Sequence, residues 1–131
     1  MTTLVGLNHK TLCTLVEWEA PLLVSAFVPV DFSRPQAPVA LTKALRHAAQ
    51  TATNRLTHEH GVESGAAAEW VAPLLSEAVL ENVPSSARGL AVFMSPDRAV
   101  HLALPVEVGP AVEVGDRVDL LRLLPAFVDD I

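Results

Sequence analysis

Four residues between two predicted helices carry side chains that could bind a metal ion: His58, Glu59, His60 and Glu63. Imidazole and carboxylate groups are common zinc ligands. His58 and His60 are two residues apart, however, and at a helix end this spacing points their rings in different directions. No Cys or further His lies nearby in the sequence. We interpret residues 58–63 as the solvated tip of a helical hairpin (the hairpin tip), and we expect no metal and no cofactor.

A second group could supply a nucleophile. Cys13 follows His9 by four residues, which is about one turn of a helix. No acidic partner, oxyanion feature or G-x-S-x-G motif accompanies them, and the glycines are too scattered to form a phosphate-binding loop. Cys13 also lies in an apolar helical pattern, so we predict that it is a small core residue. The sequence therefore favours a domain that is not an enzyme.

A third group is basic and could contact RNA: Arg34, Lys43, Arg46 and Arg55. The last three lie off the apolar stripe of the longest predicted helix. The net charge of −6 argues against a protein that binds nucleic acid through bulk electrostatics, although it allows contact at one small patch. An ordinary solvated helix face explains these residues equally well. No aromatic residues are interleaved with the charges, which weakens any role in base stacking.

The composition predicts one globular domain covering residues 1–131. Half of the residues are hydrophobic, which is enough for a single core without disulfide bonds. A lone cysteine suits a reducing compartment. The N-terminus lacks the pattern of a signal peptide, and the apolar runs fall short of the roughly 20 residues that span a bilayer. We expect a cytoplasmic protein without a membrane partner.

The spacing of apolar residues predicts the helices and strands that would position these side chains. A short helix is predicted at 9–19, with Asn8 as N-cap, and a strand at 22–30. The longest helix is predicted at 39–60 and ends before Gly61. A second helix is predicted at 64–81, with Ser64 as N-cap, and Pro73 either kinks it or divides it into two pieces. The stripe predicted to face the sheet from the longest helix comprises Leu41, Leu45, Ala48, Ala52 and Leu56.

Three further strands are predicted at 89–94, 99–104 and from 112 towards 120, because β-branched runs alternate there with Pro, Gly and Asp. The first is apolar throughout, as in a strand buried on both faces. The second alternates, with His101 on the face opposite Val100 and Leu102. The fold class is therefore α+β: a two-layer sandwich of a four-stranded mixed or antiparallel sheet, packed by two long helices plus a short N-terminal helix. The strand at 22–30 can pair in the middle of this sheet.

The order and spacing of several segments resemble the N-terminal domain of the bacterial branch of the archaeo-eukaryotic release factor and Pelota family. The resemblance runs through nearly all of the chain. The segments that carry it are LLVSAFVPV (22–30), the helix at 41–56, PLL (73–75), GLAVFMSPD (89–97), LALPVEV (102–108) and VGDRVDLLRLLP (114–125). Two segments depart from the family pattern: LENVPSSAR precedes the Gly-Leu strand where relatives often have Phe-Trp, and Val118-Asp119 replaces an aromatic residue and His.

The resemblance implies a non-catalytic, ribosome-binding domain of a translation factor that acts in rescue or hibernation, near the rRNA of the A site. It also implies a chain that continues into further domains. The hairpin tip lacks the Asn-Ile-Lys-Ser and Tyr-x-Cys-x-x-x-Phe elements that read stop codons, and no Gly-Gly-Gln is present. We expect no stop-codon reading and no small-molecule substrate. Two alternatives stay open: a peptidyl-tRNA hydrolase-like enzyme with its active site in other domains, and a homo-oligomeric scaffold. The sequence leaves the oligomeric state undetermined.

Overall fold

A computed structural model describes residues 2–5, 9–31, 37–75, 83 and 86–118. These residues form an α+β fold, as predicted. The elements in chain order are β1 (Thr2–Val5), α1 (His9–Glu17), β2 (Glu19–Pro29), α2 (Ala37–His60), α3 (Ser64–Val71), a 3-10 turn (Ala72–Leu75), β3 (Gly89–Ser95), β4 (Arg98–Leu104) and β5 (Ala111–Arg117). None of the helices in these ranges is both long enough and apolar enough to cross a membrane.

The four predicted strands pair antiparallel, and within the described residues the strand order of the sheet is β1-β4-β3-β2-β5. Strand β2 lies between β3 and β5, so the prediction that it pairs in the middle is confirmed. Strand β1 was not predicted. It has only four residues and pairs parallel with β4, with Thr2 opposite Ala99, which makes the sheet mixed. A strand this short carries little periodic signal of its own.

Helix α2 covers one face of the sheet, and its predicted apolar stripe is confirmed. All five stripe residues are buried, and they pack with the β2 and β3 side chains that point to the same face. Pro38 lies in the first turn of α2, where its missing N–H costs nothing. The helix ends at His60, and Gly61 follows with a φ of +69°, a conformation that glycine adopts without strain.

Pro73 divides the second predicted helix into two pieces. Helix α3 stops at Val71, and the chain continues as the 3-10 turn, because proline lacks the N–H that an α-helix needs there. Ser64 is the first helical residue rather than the N-cap, since Glu63 occupies that position without a capping bond from its side chain. Leu75, at the end of the 3-10 turn, is 53% exposed. The remainder of this predicted helix, 76–81, lies outside the described residues.

The opposite face of the sheet is also buried. Its apolar cluster includes Phe27 of β2 and Phe93 of β3, whose rings meet edge to face with centroids 5.9 Å apart. Every residue of β3 is buried, as its continuous apolar run predicts. Leu15 of α1 and Trp18, just after α1, belong to this cluster.

Cys13 is exposed, so the prediction that it is a core residue is wrong. Among the α1 side chains that the structure describes, Leu15 points into the core. Cys13 precedes it by two residues, and helical positions two residues apart are separated by about 200° around the axis. Val16 of the same helix is 46% exposed. The proposed N-cap Asn8 lies outside the described residues.

Candidate functional site

Lys43 and Arg46 both lie on the solvent side of α2, as predicted, and both are exposed. They are three residues apart, a spacing that makes them neighbours on a helix surface. Within the described part of the chain, neither side chain forms a hydrogen bond or an ion pair with another residue. These two cations are therefore available to a partner.

Arg55 is placed differently from the other two α2 cations. Its guanidinium donates a hydrogen bond from Nη1 to the carbonyl oxygen of Val112 in β5. The same nitrogen lies 3.9 Å from a carboxylate oxygen of Glu113. The Arg55 side chain is 41% exposed, so part of it still meets solvent. It ties α2 to the strand at the edge of the sheet, a contact that the sequence did not indicate. Arg34, the fourth predicted cation, lies outside the described residues.

The hairpin tip joins α2 to α3 at the surface. His58, Glu59, His60 and Glu63 are all exposed, as predicted for a solvated tip. His58 and His60 belong to the last turn of α2, where a positive charge interacts favourably with the helix dipole. In the described ranges, no three His, Cys, Asp or Glu residues come close enough together to hold a metal ion. His9 belongs to α1, but its side chain lies outside the described residues.

A cleft lies between α2 and the neighbouring ends of β2 and β5. Its volume is about 710 Å³, within the range of small-molecule sites in proteins. The helix lines it with Lys43, His47, Thr51 and Arg55, each four residues after the one before. Arg46 does not line it. The structure thus separates the predicted cations: Lys43 and Arg55 share the cleft, and Arg46 lies outside it.

Sequence reasoning did not identify the cleft. The repeat of polar side chains at every fourth residue of α2 was a usable signal, because it places Lys43, His47, Thr51 and Arg55 on one line along the helix. The facing wall comes from Pro29, Pro110 and Ala111, which are distant in the sequence from α2. Only the tertiary structure brings the two walls together.

His101 of β4 is a buried polar residue on the helix-covered face. Its side chain is only 1% exposed, and its Nε2 lies 3.3 Å from the carbonyl oxygen of Pro73. Its Nδ1 has no hydrogen-bond partner among the residues that the structure describes. Burial disfavours the charged imidazolium and lowers the pKa of His101 to about 4, although the contact with the Pro73 carbonyl acts weakly in the opposite direction. The imidazole is therefore neutral near pH 7, with Nε2 as donor. The sequence placed His101 on the correct face but gave no sign of this environment.

A tryptophan ties α3 to the same region of the sheet. Trp70 donates a hydrogen bond of 3.0 Å from its indole Nε1 to the carbonyl oxygen of Met94 in β3. Together with the His101–Pro73 contact, it fixes the α3 and 3-10 segment on the sheet. These two polar contacts support the fold.

No protein-family model matches this chain, and no curated protein has significant sequence similarity to it.

Proposed function

We propose that this chain is a non-catalytic, RNA-contacting domain of a cytoplasmic translation factor similar to the release factor and Pelota family. In this proposal it binds the ribosome near the rRNA of the A site, in rescue or hibernation, and does not read stop codons. The observation that carries the proposal is a pair of exposed cations on α2, Lys43 and Arg46, which form no hydrogen bond or ion pair with any other residue that the structure describes.

Because the chain is acidic, RNA binding would depend on this pair of cations. With a formal net charge of −6, long-range attraction to a phosphate backbone is unfavourable. Binding to RNA then depends on a local positive surface, where lysine and arginine contact phosphate oxygens directly. Lys43 and Arg46 supply such a surface on a helix whose opposite side is anchored in the core.

The rigid support of these side chains favours a role in binding. Buried stripe residues hold α2 against the sheet, and Arg55 adds a hydrogen bond to β5. A helix fixed in this way holds the backbone positions of Lys43 and Arg46 at a constant separation, so only their side chains need to become ordered on association. The hairpin tip lies at the C-terminal end of the same helix, about 18 Å along the axis from Arg46.

Co-sedimentation of the chain with purified ribosomes tests the proposal. Reversing both charges in the Lys43→Glu/Arg46→Glu variant should weaken ribosome association while leaving the thermal unfolding midpoint unchanged, because both side chains are exposed and off the apolar stripe. The matched control compares two single neutralisations, Arg46→Gln and Arg88→Gln. Each removes one exposed positive charge, but Arg88 lies beside β3 and pairs only loosely with Glu107, at 3.9 Å.

We expect Arg46→Gln to weaken binding more than Arg88→Gln does. Equal losses of binding in the two variants would mean that ribosome association depends only on the total charge of the chain. Undiminished association of the double reversal variant with ribosomes would show that this face of α2 is merely solvated, and the proposal would be abandoned.

A further inference from the structure

The cleft beside α2 has one wall of hydrogen-bond donors. Lys43, His47, Thr51 and Arg55 follow one another at intervals of four residues, which is about 6 Å along a helix axis. An ammonium, an imidazole, a hydroxyl and a guanidinium therefore form a line about 18 Å long from first to last. Such a line can serve an elongated ligand that carries negative charge.

The remaining lining of the cleft is apolar. Pro29 ends β2, Pro110 precedes β5, and Ala44 and Ala48 lie between the polar residues of α2. The proline rings offer rigid apolar surfaces against which a flat ring can pack, and the two alanines leave space beside the helix. A ligand that fits both walls has a charged end and a flat apolar body.

The two ends of the cleft differ in how far their hydrogen-bond donors are already occupied. Within the described residues, Lys43 and His47 form no hydrogen bond or ion pair with another protein group. At the other end, Arg55 already donates to the Val112 carbonyl and faces the Glu113 carboxylate. An anion is therefore attracted to the Lys43 and His47 end, while Arg55 and Thr51 retain donors for neutral acceptors.

We propose that this cleft binds a nucleotide, with its phosphate between Lys43 and His47 and its base against Pro29 and Pro110. Lysine is a common phosphate ligand, and charge-assisted hydrogen bonds to phosphate are among the stronger ones in proteins. The ribose hydroxyls then lie towards Thr51 and Arg55. A volume of about 710 Å³ accommodates one such unit. The proposal does not require ribosome binding: Lys43 is shared with the RNA-contacting pair, but Arg46 does not line the cleft.

The required chemistry, a phosphate ester attached to a flat ring, occurs both in free mononucleotides and in single-stranded RNA. Titration of the isotope-labelled chain with adenosine 5′-monophosphate, followed by NMR, tests the site directly. We expect saturable shifts of the backbone amides of His47, Thr51 and Ala111. Adenosine and inorganic phosphate, each holding half of the ligand, should bind at least about 10-fold more weakly, since each lacks one set of contacts. The same titration is then carried out with a short single-stranded oligoadenylate.

Tighter binding of the oligonucleotide than of the mononucleotide identifies RNA as the source of the ligand, and equal or weaker binding identifies a free nucleotide. Both results support the site. Lys43→Ala and His47→Ala should each weaken mononucleotide binding about 10-fold, the loss expected for one charge-assisted hydrogen bond. Both residues are exposed, so neither change should disturb folding. Ala44→Phe, which fills the cleft, should abolish binding.

Arg88→Ala is the matched control for mononucleotide binding, because it removes an exposed cation that does not line the cleft. It should leave the mononucleotide dissociation constant unchanged. The proposal is overturned if the mononucleotide and the oligonucleotide cause no saturable shifts at the cleft, or if Lys43→Ala, His47→Ala and Ala44→Phe all bind as the unmodified chain does. Ribosome association is measured separately, and its outcome does not decide whether the cleft binds a nucleotide.

Discussion

Protonation of His101 should make the fold sensitive to acid, and the structure sets the size of the effect. The imidazole is 1% exposed, and its pKa is lowered from 6.5 to about 4. An unfolded chain binds a proton at this residue near pH 6.5, whereas the folded chain resists protonation until about pH 4. Between these values the unfolded state holds more protons, so the free energy of unfolding falls as the pH falls. Well above pH 6.5 the imidazole is neutral in both states, and its titration no longer changes the free energy of unfolding.

The magnitude follows from 1.36 kcal/mol for each pKa unit. With the folded pKa at about 4, His101 should remove roughly 2 kcal/mol of stability by pH 5 and about 3 kcal/mol by pH 4. Carboxylates also titrate in this range, so the effect must be isolated by comparison with a variant. His101→Gln is suitable because its side-chain amide can still donate to the Pro73 carbonyl but does not titrate.

The assay is urea denaturation of both proteins near pH 7 and near pH 5, followed by circular dichroism. We expect the unmodified chain to lose about 2 kcal/mol more than His101→Gln over this interval. Equal losses in the two proteins would refute the reasoning, because they would mean that His101 takes up its proton as readily in the folded state as in the unfolded one.

Three further changes should alter the free energy of unfolding, each measurable by denaturant titration. Gly89→Ala should destabilise the fold by about 1 to 3 kcal/mol, because an added Cβ would approach the Val106 carbonyl oxygen to 2.9 Å. The control Gly109→Ala should be close to neutral, since a Cβ there meets nothing within 4 Å. Equal losses of stability in the two variants would contradict this packing. Leu56→Ala should cost about 2 to 5 kcal/mol through the cavity it leaves in the core, and a cost below 1 kcal/mol would mean that the site is not buried. Arg55→Met should cost about 1 kcal/mol, since it removes a partly exposed hydrogen bond to β5, and no loss would show that this contact is not maintained in solution.

Local patterns in the sequence were sufficient for most of the described elements. The runs that became β3 and β4 are bounded by residues that favour turns, and the five-residue stripe of α2 repeats with helical spacing, so neighbouring residues alone define them. Strand β1 was missed because its identity depends on pairing with residues almost 100 positions away. Cys13 was misplaced because a short apolar pattern does not determine which side of a helix meets the core.

The candidate sites depended even more on contacts between distant residues. Lys43 and Arg46 could be predicted as exposed, since they lie off a clear apolar stripe. The hydrogen bond from Arg55 to Val112 joins residues 57 positions apart, so no local sequence pattern predicts it. The cleft has the same origin, because its charged wall is helical and its apolar wall comes from the ends of two strands. The resemblance to the release factor and Pelota family stays a prediction.

The salt dependence of ribosome binding tests the proposed function most directly. Each phosphate contact made by a cation contributes about 0.7 to 0.9 to the slope of log K against log salt concentration. If Lys43 and Arg46 each contact one phosphate, the Lys43→Gln/Arg46→Gln variant should bind more weakly at low salt, with a slope shallower by about 1.4 to 1.8. An unchanged affinity together with an unchanged slope would contradict the account, because it would show that neither cation touches RNA.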